Sequence, residues 1–193
     1  PLFMPTYGMI LYMMVMQNRL SNLPFLYIWL SIIGTSILTA IIPISLIFIL
    51  LKKGQIDSLH IENSKQRTTP YIYTLICFCC WCYFLRVTMH LPHIWLFIAI
   101  GATIALAIVM LINHWWKISA HLTGMGGLLG GICSMALFYT MLPSALIISV
   151  LIISLLLMYA RLYTNAHTPM QVVSGYLLGI LCTFIPNLII YYA

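Results

Sequence analysis

Apolar residues fall in seven runs along the 193-residue chain, at about 3–16, 24–51, 71–89, 94–112, 122–140, 143–160 and 171–192. Six of them approach or exceed the roughly 20 residues that carry a helix across a bilayer, so the pattern predicts membrane-spanning helices. The first run is short, about 21 Å as a helix, and reads as a truncated span or a half-buried segment. The second is long enough to span with tilt, and Pro43 is placed to kink it. One polar interruption is substantial, from Lys52 to Pro70; the others are short stretches around Arg19, Pro92, Lys117, Pro143 and Arg161. No repeat, low-complexity tract or domain boundary interrupts the pattern, which reads as one transmembrane domain over 1–193. No secretory signal is recognisable. The chain opens on Pro1 and not Met, so the expectation is that residues precede it.

Composition narrows the class. Apolar residues make up 63% of the chain and charged ones only 5%, against about 25% charged in a soluble domain. Such a chain lacks the polar surface to dissolve in water, which excludes cytosolic enzymes, nucleic-acid-binding modules and secreted disulfide scaffolds. The expected fold is an all-α integral membrane bundle of six to seven transmembrane helices, with membrane lipids as its surroundings and no nucleic-acid partner. The formal charge of +6 favours anionic partners such as phosphate headgroups. Asp57 and Glu62 are the only acids. A two-metal phosphatase or a carboxylate-dyad hydrolase needs more acidic ligands than that, so any hydrolysis must run on His, Arg, Lys, Ser and helix dipoles. Among the cysteines, Cys77 and Cys80 share one helix face and Cys79 and Cys82 another, so the four do not converge on a tetrahedral metal. They read as small packing residues, with Cys133 and Cys182 lying elsewhere.

Counting crossings places three polar segments on one side of the membrane: the one before Pro70 follows two runs, Lys117 to His121 follows four, and Arg161 to His167 follows six. The first run enters all three counts, so the parity survives its ambiguity. Each segment ends in a helix-start signal. Thr69-Pro70 and Thr168-Pro169 read as an N-cap followed by Pro at the first helical position. Thr168 with Gln171 makes a capping box, and Ser119 can cap the helix through His121. Three positive helix ends with Arg67, Lys117 and Arg161 beside them describe an anion site. Taken singly, Arg161 reads as a snorkelling cation, and His121 and His167 as interfacial histidines. His114, Trp115 and Trp116 read as an interface belt. His90 and His93 fall on the opposite side without acidic or cysteine neighbours. Glycines four apart (Gly126 and Gly130, Gly127 and Gly131, Gly175 and Gly179) predict close helix approach.

The spacing of the site residues carries a resemblance. Arg161, five residues, His167, three residues and Gln171 resembles the third signature of the type-2 phosphatidic acid phosphatase family, S-R-x5-H-x3-D. Ser119-Ala120-His121 resembles the second, P-S-G-H, and Arg67 with Pro70 close behind resembles the first, K-x6-R-P. They occur in the family's order over about residues 60 to 180. The resemblance implies a phosphatase-type helical core with neither metal nor cofactor. It makes His167 the nucleophile that forms a phosphohistidine, and His121 the general acid. Arg67 and Arg161 would hold the phosphate oxygens, with Ser119, Ala120 and nearby backbone N–H groups completing the cradle. His60 stands where the family's Lys would be, with Lys65 as a nearby substitute. Thr68 follows Arg67, Ile118 and Ala120 replace Pro and Gly, and Ala160 replaces Ser. Gln171 replaces the Asp that orients the nucleophilic imidazole; neutralising the orienting acid of a serine protease costs about 10⁴ in rate.

The function these signatures imply is metal-independent hydrolysis of a lipid phosphate or diphosphate. Polyprenyl diphosphate, phosphatidylglycerol phosphate, phosphatidic acid and lipid A phosphates all qualify. Gln171 and His60 motivate an alternative, a weak or inactive relative that binds phospholipid headgroups. A transporter or structural bundle would leave the signatures to chance. Six basic residues lie on the signature side against two opposite, and removing the four that would serve substrate leaves two against two. Orientation therefore rests on the resemblance, which implies a bacterial inner membrane with the site facing the periplasm.

Overall fold

A computed structural model describes residues 1–17, 24–57, 64–139 and 144–192, with the backbone alone at 16, 17, 64 and 65. They form seven helices: α1 (Met4–Gln17), α2 (Phe25–Lys52), α3 (Ser64–Tyr83, continued by a π-helical turn Phe84–Thr88), α4 (His93–Ile112), α5 (Ala120–Phe138), α6 (Ser144–Tyr163) and α7 (Pro169–Tyr192). Among the described residues there is no strand, and six helices, α2 to α7, are long and apolar enough to cross a membrane. The chain is a multi-pass, all-helical membrane protein. The short first run forms a helix below spanning length. Met9, Tyr12 and Met13 of α1 are buried in the core, while Tyr7 and Met14 face outward.

Proline shapes three of these helices. Upstream of Pro43, where the sequence predicts a kink, α2 contains a π turn, Ile37–Ile41, closed by the Ile42 N–H on the Ile37 carbonyl. Pro43 has no N–H to offer the Thr39 carbonyl, and the wider turn just upstream makes room for its ring. Pro169 opens α7, as its sequence predicts. At Pro70 the expectation fails: α3 begins at Ser64, and Pro70 lies inside it. There the ring removes the bond to the Gln66 carbonyl and crowds it. Gln66 is tied down independently, donating Nε2–H to Asp57 Oδ2 at 2.8 Å and accepting the Asp57 N–H at 3.3 Å. Arg67 therefore sits within the first turn of the helix and not ahead of it.

The central helix is α5, 56% buried over its apolar window, against 11% for the peripheral α6. Its partner is α7, and glycine sets their distance. A Cβ at Gly126 or Gly130 would strike main-chain atoms of Tyr176 or Ile180, and one at Gly175 or Gly179 would strike the Ser119 or Thr123 carbonyl. Backbones in contact let the hydroxyls of Ser134 and Thr183 bond across, to the Thr183 carbonyl at 3.1 Å and the Gly127 carbonyl at 3.1 Å. The same approach brings the two helix starts together, where the Ser119 N–H donates to the Gln171 carbonyl at 3.2 Å. Gly127 and Gly131 serve differently from their neighbours. A Cβ at Gly127 would make only ordinary contact with Thr183 Cγ2 at 3.6 Å, and both positions line a cavity. The α3 cysteines are free and diverge, Cys77 buried and Cys79 and Cys80 on the outer face.

Candidate active site

One cavity of about 810 Å³ opens at the end of the bundle where α3, α5 and α7 begin, and its lining includes Arg67, Lys117, Ala120, His121, Arg161 and His167. Five of these were predicted as site residues, and they arrive from four separate elements. His60 and the side chain of Lys65 lie outside the described residues. Ser119 takes the extended conformation of an N-cap, but its hydroxyl makes no capping bond. Ser119 is fully buried, its Oγ has no partner, and it does not line the cavity. Its carbonyl holds the first turn of α5 by accepting the Thr123 N–H at 3.0 Å.

The turn from α6 into α7 positions the last two predicted residues. Arg161 lies in the final turn of α6, and its carbonyl accepts the Ala166 N–H at 3.2 Å. Asn165 adopts φ +51, a left-handed conformation that asparagine tolerates better than most residues. The chain thereby doubles back and sets His167 beside Arg161 at the cavity mouth. Gln171 sits behind His167, sharing a separate recess with it. Its Oε1 accepts the Thr168 N–H at 3.1 Å, the reciprocal half of the predicted capping box. Because that backbone donor demands an acceptor, the amide oxygen and not the nitrogen must lie on this side.

The orientation of His167 follows. Its Nδ1 lies 3.2 Å from Gln171 Oε1 and 3.3 Å from the Lys117 carbonyl oxygen. Both neighbours are acceptors, so Nδ1 carries the proton and donates, leaving the Nε2 lone pair free. This is the tautomer a nucleophile needs. Burial holds the His167 pKa below its ordinary value; the bonds to Gln171 and the Lys117 carbonyl oppose this, and the Lys117 and Arg161 charges reinforce it. A half-buried imidazole among cations is thus kept neutral, with its proton on Nδ1.

Arg67 is steered by a residue that the sequence pattern did not single out. Asn113, buried at the C-terminal end of α4, accepts a hydrogen bond from Arg67 Nη1 at 3.2 Å through Oδ1. The signal was present as a lone amide at the edge of an apolar run, a position usually left to solvent. Next to it, Trp115 is 82% exposed and stands edge-on to His114, as an interface belt requires. Among the described residues no three His, Cys, Asp or Glu side chains group closely enough to hold a metal ion. The chain matches no protein-family model, no curated protein and no solved structure.

Proposed function

We propose that this protein hydrolyses a phosphate or diphosphate ester on a membrane lipid through a phosphohistidine intermediate, without a metal. The observation that carries the reading is the meeting of two histidines and three cations, His121, His167, Arg67, Lys117 and Arg161, on one cavity mouth. Nε2 of His167 attacks phosphorus, and the bond from phosphorus to the leaving oxygen breaks as His121 gives that oxygen its proton. Arg67 and Arg161 hold the equatorial oxygens as charge builds, with Lys117 adding its field. Water, deprotonated by His121, then attacks the phosphohistidine, releasing inorganic phosphate and restoring His167. The resemblance of the three signatures to the type-2 phosphatidic acid phosphatases supports the same reading. It extends it to a helical core of that type over about 60–180 and to a site on the periplasmic side of a bacterial inner membrane.

The test is phosphate release by purified protein from polyprenyl diphosphate, phosphatidylglycerol phosphate, phosphatidic acid and lipid A, wild type beside His167→Ala. Release from at least one lipid that is lost in the variant is the expected result; release unchanged in the variant overturns the assignment. A second reading, a headgroup-binding protein without turnover, is favoured by one observation. The group behind His167 is the neutral Gln171, which orients the imidazole but adds no charge to stabilise its cationic form. Binding of lipid phosphates with no release from any of them would establish that reading instead.

A further inference from the structure

The cavity does not end at its cationic mouth. Its lining runs down α3 from Arg67 to Trp81, along α4 from Val109 to Trp95 and along α5 from Ala120 to Met135. Fourteen residues of helix measure about 21 Å, most of the roughly 30 Å hydrocarbon depth of a bilayer. An apolar protein cavity of about 150 Å³ holds one benzene, about 25 Å³ per carbon, so about 810 Å³ has room for some thirty carbon atoms. A phosphate at the mouth fills only a small part of that.

The walls below the mouth offer little to a polar solute. The threonine hydroxyls that border the space are already bonded to main-chain carbonyls, Thr74 to Pro70 at 2.8 Å, Thr123 to Ser119 at 3.0 Å and Thr183 to Gly179 at 3.0 Å. The indole N–H of Trp81 is likewise committed, to Thr35 Oγ1 at 3.0 Å. What remains is aromatic and aliphatic surface, with the indole N–H of Trp95 as one buried donor that has no partner. The width of the arm depends on small residues, Gly127 and Gly131 on α5 and Ala102 and Ala105 on α4. An anion site joined to a long apolar arm complements one kind of molecule, an amphiphile with a phosphate head and a slender tail.

We infer that the arm receives the hydrocarbon tail of the phosphorylated lipid inside the bundle and limits its length at Trp81 and Met135. This rests on the phosphate reading of the mouth and adds a substrate class to it: lipid phosphates that present one long unbranched or methyl-branched chain. Tail length, and not headgroup structure, is then the main determinant of selectivity.

The experiment uses n-alkyl phosphates from butyl to hexadecyl with the purified protein, and two readouts. The first is binding, followed by quenching of Trp81 and Trp95 fluorescence with chains brominated at the tail end, in bromine-free detergent. The second is phosphate release. Binding is expected to tighten with each added methylene, by up to about fourfold, until the chain fills the arm, and then to level off. Gly127→Leu, and independently Ala102→Leu, should flatten that dependence and weaken dodecyl phosphate at least about tenfold. Quenching should fall in Trp81→Phe. Length-dependent binding with quenching but no phosphate release would uphold the arm and overturn the hydrolysis. Phosphate release indifferent to chain length, or binding without quenching, would overturn the arm and leave the hydrolysis standing. Absence of binding at every length overturns the arm.

Discussion

His167 makes its described hydrogen bonds at Nδ1 to two oxygens, one from a side chain and one from the backbone, and this determines how the site should respond to pH. In the proposed reaction the attacking form is the neutral imidazole, and burial holds its pKa below the ordinary value near 6.5. The acid limb of kcat/KM, where protonation of the ring removes the nucleophile, should therefore be centred below about 6.5. Gln171→Asp places a negative charge against Nδ1–H, favours the protonated ring and should move that limb upward while raising kcat. A limb that does not move would detach Gln171 from His167. Asn113 is the second residue to probe. Removing its Oδ1 leaves Arg67 without that acceptor, and a bond to a charged group is worth about 1.5 kcal/mol or more. Asn113→Leu should raise KM about tenfold, more than it lowers kcat, in steady-state assays on the preferred lipid. Arg161, His167 and Gln171 were legible in the sequence because their spacing is local, and His121 because it follows Ser119 and Ala120 at a helix start. The Asn113 contact was not, since 46 residues separate it from Arg67.

Helices were legible wherever apolar runs were long, because nothing but a helix satisfies the backbone in a bilayer. The start of α3 was misread for a physical reason. Thr-Pro marks a helix boundary only when the residues before it cannot themselves be helical, and Ser64 to Thr69 can. The glycine pairs were legible as packing elements, but four-residue spacing is the same on either face of α5 and does not say which pair meets another backbone. The structure separates them, and stability should follow. Gly126→Ala and Gly179→Ala each force a methyl into a main-chain carbonyl and should destabilise by about 1–3 kcal/mol, read as a lower melting temperature in detergent. Gly127→Ala meets only Thr183 Cγ2 at 3.6 Å and gains helix propensity, so it should melt at or above wild type.

At the scale of the molecule, parity of crossings foretold that the three polar segments share one end, and the common cavity mouth shows Arg67, His121, Arg161 and His167 gathered there. The apolar arm beneath was illegible, because it exists only between helices and leaves no mark on any one of them. Which way the mouth faces is open to a direct measurement. Thr164 is exposed at that end, and the six native cysteines all lie in apolar helices. Thr164→Cys should therefore be the position labelled by a membrane-impermeant thiol reagent added to intact cells, if the periplasmic orientation holds; labelling only after lysis would reverse it. The backbone oxygen of Lys117 has one more consequence. A point mutation replaces side chains and leaves peptide carbonyls in place, so this half of the imidazole's support lies beyond the reach of ordinary substitution. A substitution at position 171 would then leave the ring with one of its two acceptors in place.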